Sequence, residues 1–244
     1  MIPKIYGLNC LLEFKKTTCL HRTLILQFLY THYNPIPCKI KDLKVSHMLC
    51  YHQNKGEMHM PYYHCSPMHG LKTLMPQTPL HFDKPARVYM ATSLPMALMY
   101  GAHHYEYTYG YTKEGQIYYL EHFPGALQQI YGGKSASLYI CNPPRTEDTH
   151  IPNEKICASP VPVSNEIFIP NVYEALLEEE NKGTLIIHRY ETLTEKQRNW
   201  IIHAEMQEIL DHHYLHSDTP IARWIVSQYP ASTRLAMEKE QMSI

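Results

Sequence analysis

The chain is 244 residues long, and its 22 lysines and arginines nearly balance 23 aspartates and glutamates. Such a balance builds in no long-range attraction to nucleic acid or to an anionic membrane, and the length allows one good-sized core or two small ones. Seven cysteines, an odd count without a CxxC pair, fit reduced thiols in a cytoplasm better than a disulfide framework, and the apolar run Leu24–Tyr30 is far shorter than the roughly 20 residues of a membrane span.

Residues 1–57 hold four of the cysteines (Cys10, Cys19, Cys38, Cys50), basic pairs and no sustained period. They read as a doubtful N-terminal extension. Lys55-Gly56-Glu57 back-translates to a purine-rich string of the kind that positions a bacterial ribosome, which puts the expected biological start at Met60 or Met58. The alternative is a genuine helical extension around Thr18–Tyr33.

From Tyr62 the patterns become orderly. A short apolar strand ends in Tyr63-His64-Cys65-Ser66-Pro67, and small residues with a proline place an imidazole and bare backbone at the mouth of a turn. Further strands are expected at Arg87–Ala91, Gln116–Leu120, Ser137–Cys141, Ser164–Ile169 and Thr184–Tyr190, all short and rich in β-branched or aromatic residues. Helices are expected at Pro95–Ala102, at Pro124–Tyr131 before Gly132-Gly133, and at Val172–Asn181 between Asn171 and Gly183. Thr194 and Gln197 form a capping box for a longer helix, Glu195–His213. Ser217-Asp218 caps a last helix, Pro220–Gln228, and the tail beyond Pro230 is expected to fray. The pattern is α+β: a strand-rich body over 60–190 and a helical C-terminal segment over 191–244.

Three stretches in this order resemble the ADP-ribosyltransferase superfamily of the His-Tyr-Glu class. Tyr63-His64-Cys65-Ser66 is similar to its His-Gly-Ser motif, with cysteine where glycine is usual. Val88-Tyr89-Met90-Ala91-Thr92, followed by Ala97 and Tyr100, is similar to its Tyr-x-Ala strand and helix, with alanine where serine is frequent. Ser164-Asn165-Glu166-Ile167-Phe168-Ile169 is similar to its late acidic strand. The resemblance covers residues 62–190 and extends to uncharacterised bacterial proteins of that fold. It implies split β-sheets around an NAD cleft, with NAD as substrate.

What the resemblance implies for each residue is specific. His64 would hold a ribose hydroxyl, and the main chain of Cys65, beside Ser66, would hold the nicotinamide carboxamide. Tyr89 would complete the triad, Tyr100 would stack on nicotinamide, and Thr92 or Ser93 would stand in for the missing serine. Glu166 would bond the 2′-hydroxyl and steady the sugar cation, since breaking the nicotinamide–ribose bond passes through an oxocarbenium-like state. Glu106, Glu121 and Glu174 are rival acids. The implied function is mono-ADP-ribosyl transfer to an unknown macromolecular acceptor. RNA 2′-phosphotransferases share the fold but use basic residues in the triad, against which a glutamate at 166 argues.

Two alternatives stand beside it. One is a non-catalytic nucleotide-binding module, to which Cys65 and Ala97 both point. The other is a metal-binding protein built on His59, His64, Cys65 and His69, on His103-His104, or on His212, His213 and His216, although none of these repeats a standard zinc spacing.

Overall fold

Among the described residues, seven strands pair into one sheet and three into another. The computed structural model describes residues 61–78, 85–103 and 108–242; the expected start at Met58 or Met60 and the Thr18–Tyr33 helix lie outside them. In chain order the strands are β1 (Tyr62–Ser66), β2 (Thr73–Leu74), β3 (Val88–Ala91), β4 (Tyr109–Tyr111), β5 (Ile117–Leu120), β6 (Ala136–Cys141), β7 (Glu147–Asp148), β8 (Glu154–Cys157), β9 (Val161–Ile169) and β10 (Ile186–His188). The large sheet runs β2-β9-β6-β1-β3-β8-β7 and is antiparallel throughout; the small one runs β10-β5-β4, with β10 parallel to β5.

Six α-helices complete the described fold: α1 (Leu94–Met99), α2 (Ala126–Tyr131), α3 (Val172–Asn181), α4 (Glu195–Asp211), α5 (Pro220–Gln228) and α6 (Pro230–Gln241). The mixed α+β class and the helical C-terminal segment are as expected from the sequence. None of the helices is long and apolar enough to cross a membrane, among the described residues.

Alternation along the central strands divides the large sheet into two unlike faces. Cys65, Ala91, Leu138 and Ala136 point to the side where Met96, Met99, Leu127 and Leu176 bring α1, α2 and α3 into the main core. Val88, Met90, Tyr139, Cys141 and Cys157 point the other way, into a smaller cluster closed by Leu74 and Val161. That second face carries the polar residues of interest.

Gly101 lets α1 press onto this sheet. A Cβ there would lie 2.9 Å from Cys65 Sγ, 3.0 Å from the Leu98 carbonyl and 3.1 Å from Ala136 Cβ. Two of these neighbours are backbone or a strand methyl and have no rotamer to yield. Gly101→Ala is therefore expected to destabilise by about 1–3 kcal/mol, the usual range for overpacking, read as a lower midpoint in urea with an unchanged slope.

The Thr194 capping box forms as expected: Thr194 Oγ1 accepts the Gln197 amide at 3.3 Å, while Gln197 Oε1 accepts the Thr194 amide at 2.8 Å. Two expectations at the C-terminus are corrected. Thr219, not Ser217-Asp218, caps α5, accepting the Ala222 amide. The tail after Pro230 is helical: Pro230 opens α6, and Ser232, Thr233 and Ala236 are buried, small enough for a close approach to α4.

Candidate functional site

Three neighbouring strands present a grid of side chains on the second face. The registers place His64 opposite Tyr139 and Tyr139 opposite Glu166 in one row, with Ser66, Ser137 and Phe168 in the next. Directly paired residues of an antiparallel ladder share a face, so His64 and Glu166 flank Tyr139 two strand spacings apart, roughly 10 Å.

Glu166 is held on one oxygen only. Its Oε1 accepts the Gly70 amide at 2.8 Å and the Ser137 hydroxyl at 2.7 Å, with the Tyr139 hydroxyl oxygen 3.3 Å away. Oε2 has no such partner among the described residues. The Gly70 amide and Ser137 hydroxyl, helped by Tyr139 and Lys72 and only partly opposed by desolvation, hold the carboxyl below its usual range. It is an anchored, ionised group with one oxygen to spare. Gly70 reaches it from a left-handed conformation, φ +76°, which a side chain would strain.

The loop that carries Gly70 folds over the row. Tyr139 donates to the Met68 carbonyl at 2.7 Å and accepts the Leu71 amide at 3.3 Å. Its ring is fully buried between His64 and Glu166. Beside β9 lies an open groove of about 430 Å³ lined by Lys72, Val163, Ser164, Asn165, Glu166 and Phe168.

The ladder between β1 and β3 pairs at Tyr63↔Ala91 alone, whereas β1 and β6 pair along five positions. Beyond Tyr63 the His64 ring bridges the gap, with Nδ1 2.9 Å from the Tyr89 carbonyl. A carbonyl only accepts, so Nδ1 carries the proton. Burial keeps the ring below its ordinary value of 6.5, against the opposing pull of that carbonyl. The neutral ring therefore offers Nε2 as an acceptor.

This has a consequence for stability. A histidine whose folded value is lowered binds its proton more readily in the unfolded chain, so its contribution is complete above pH 6.5 and is lost as the pH falls below it. Replacing His64 with Gln is expected to flatten the fall in stability on the acid side of that value relative to wild type. Urea unfolding across the range tests this; an unchanged slope counts against a buried neutral His64.

Tyr89 does not join the other two members of the expected triad. Ala91 pairs with Tyr63, so Tyr89, two residues before Ala91, shares the face of Tyr63 and not that of His64. There it lies near Glu154 and Arg87, and burial with the Glu154 carboxylate raises its phenol. The tyrosine that does lie between His64 and Glu166 is Tyr139.

The remaining expected residues are spread out. Cys65 is buried toward the main core and its thiol is pushed up to about 12, chiefly by desolvation. Ser66 Oγ accepts the Met68 amide at 3.1 Å and so closes the turn. Thr92 is engaged with Asn153: its amide donates to the Asn153 carbonyl at 2.8 Å and its hydroxyl to Asn153 Oδ1 at 3.2 Å. Tyr100 ends α1 with its hydroxyl 3.0 Å from that of Tyr109, joining the helix to the small sheet.

Of the rival acids, Glu121 is buried and accepts the Leu127 and Tyr190 amides, a structural task, while Glu174 is exposed on α3 and Glu106 lies outside the described residues. The metal alternative finds no support: no three histidine, cysteine or acidic residues gather closely enough to hold an ion, among the described residues. His64 and Cys65, as successive strand residues, point to opposite faces. His59 and His104 lie outside the described residues.

Sequence reasoning missed Ser137, Tyr139, Gly70 and the role of His69. His69 Nδ1 lies 2.7 Å from Ser137 Oγ, and its ring meets Phe168 edge-on at 5.4 Å. Serine, histidine and glutamate thus form a chain, yet not a hydrolase triad. Ser137 is fully buried and aims its proton at the carboxylate, the reverse of an activated nucleophile. The polar–apolar alternation of Ala136-Ser137-Leu138-Tyr139-Ile140 was the available signal for Ser137 and Tyr139.

No model of a known protein family matches this chain and no curated protein matches it, so the functional reading rests on the geometry of this face.

Proposed function

We propose that the protein is an ADP-ribosyltransferase-like enzyme that cleaves the nicotinamide–ribose bond of NAD at the β1–β6–β9 face and passes ADP-ribose to an acceptor. The observation that carries this reading is Glu166: an ionised carboxylate anchored through one oxygen, with the other unengaged by any described residue, on the same face as a neutral histidine acceptor. Cleavage places positive charge on the sugar, and a fixed carboxylate stabilises that charge without reorganising.

In this reading Glu166 Oε2 accepts the 2′-hydroxyl of the nicotinamide ribose, and His64 Nε2 accepts a hydroxyl of the adenosine ribose. Lys72, in the same groove as Glu166, faces the pyrophosphate. The opening of the β1–β3 ladder beside Cys65 leaves main chain for the carboxamide. The two-sheet α+β architecture is compatible with the split sheets that the motifs imply. The site departs from those motifs at Tyr89, and Tyr139 fills the position between His64 and Glu166.

A second reading, a nucleotide-binding module without catalysis, is favoured by two observations: Tyr89 is on the opposite face and Tyr100 is tied to Tyr109. Incubating the purified full chain with NAD and measuring both binding and free nicotinamide separates the two. Release that depends on Glu166 supports the enzyme. Saturable binding without release supports the module, and absence of both removes NAD from the account.

A further inference from the structure

The His69–Ser137–Glu166 chain fixes the protonation of an exposed imidazole. The Ser137 hydroxyl has one proton and gives it to Glu166 Oε1 at 2.7 Å. Its contact with His69 Nδ1, also 2.7 Å, therefore requires that Nδ1 be the donor. In the neutral ring the lone pair is then on Nε2. His69 is exposed, and no described residue bonds Nε2. The edge-on contact with Phe168 and the bond to buried Ser137 hold the ring in one orientation. A basic nitrogen is thus fixed beside the carboxylate that the proposed reaction uses, and none of the described residues engages it.

We propose that His69 is the general base that activates the acceptor. This rests on the NAD reading above. The C1′–nitrogen bond breaks with its electron pair leaving on nicotinamide, which departs neutral. The acceptor oxygen forms the new bond to C1′, and its proton passes to His69 Nε2 and then to solvent. Glu166 stabilises the cation while His69 takes the proton, so the two tasks fall on separate residues joined by Ser137. The imidazole itself meets only uncharged Ser137 and Phe168 among the described residues; Ser137 links it to Glu166 on β9, which in turn lies near Tyr139 and Lys72.

The test uses the full chain, NAD and water as acceptor. His69→Asn keeps a side-chain N–H for Ser137 but has no basic nitrogen at the Nε2 position. It is expected to lower the rate of NAD hydrolysis by about 100-fold, the low end of general-base contributions, with little change in KM. Azide, an anionic nucleophile with no proton to lose, is expected to restore turnover and give the azido-sugar product. Undiminished hydrolysis by the variant overturns the assignment while leaving the NAD reading intact. A slow variant that azide does not rescue also overturns it, because His69 then acts only by position. A wild-type chain that releases no nicotinamide sinks the NAD reading itself, and this inference with it.

Discussion

Glu166→Gln is expected to reduce nicotinamide release from NAD by roughly 100- to 1,000-fold, the range for losing one preorganised electrostatic contact in a transition state. The substitution isolates charge from structure. A glutamine carbonyl can still accept the Gly70 amide and the Ser137 hydroxyl that hold Glu166 Oε1, so the loop and strands keep their positions. What changes is the outward atom: an uncharged amide replaces the free carboxylate oxygen. KM is expected to move less than kcat, since the lost interaction grows only as the sugar becomes cationic. The acid limb of activity should not originate in Glu166 at mildly acidic pH, because its hydrogen bonds keep it ionised below the usual carboxylate range. Steady-state nicotinamide release, with an unfolding curve for each protein, checks the prediction. Equal rates would remove Glu166 from the chemistry.

The second large effect concerns stability. His122 and Glu205 face each other 2.7 Å apart, 1% and 0% exposed, and tie the end of β5 to the middle of α4. Trp200, on the same helix, meets the His122 ring edge-on. Glu205→Ala strips a fully buried partner and leaves a cavity, and removing one member of a buried pair costs about 3–5 kcal/mol. In a protein of this size that is about a 10 °C fall in Tm. The joint between the small sheet and the C-terminal helices lies away from Glu166, so NAD turnover below the melting range should be retained. A Tm within a degree or so of wild type would mean that the pair is dispensable to that joint.

Local signals in the sequence reached part of this architecture. Alternation and β-branched content located β3, β5, β6 and the second half of β9, and capping chemistry located α3 and α4. Short strands escaped: β2, β4 and β7 carry too few residues for a period to register, and β8, Glu154-Lys155-Ile156-Cys157, opens on two charged residues. The expected strand began at Ser164, yet Pro162 lies inside β9, where β2 pairs over only two residues and the Pro162 carbonyl still accepts the Asn142 amide. The beginning of the strand was hidden for that reason.

The site was legible by residue type and not by register. His64 and Glu166 were found through the motifs that carry the resemblance. Which tyrosine lies between them depends on pairing across strands far apart in sequence, and a one-residue shift in register moves a side chain to the other face. Tyr89 was assigned from motif order, and Tyr139 was read only as part of the expected strand Ser137–Cys141. The tie between His69 and Glu166 is likewise invisible in the chain, because it runs through Ser137, 68 residues from one and 29 from the other.

The measurement closest to the central claim is a crystal structure of Glu166→Gln with NAD bound intact, since the variant should bind the dinucleotide without consuming it. The account predicts the nicotinamide ribose over the β1–β6–β9 grid, its 2′-hydroxyl about 2.7–3.0 Å from the outward atom of residue 166 and the adenosine ribose at His64 Nε2. NAD found on the opposite face beside Tyr89 and Glu154, or bound with its ribose away from residue 166, would contradict it.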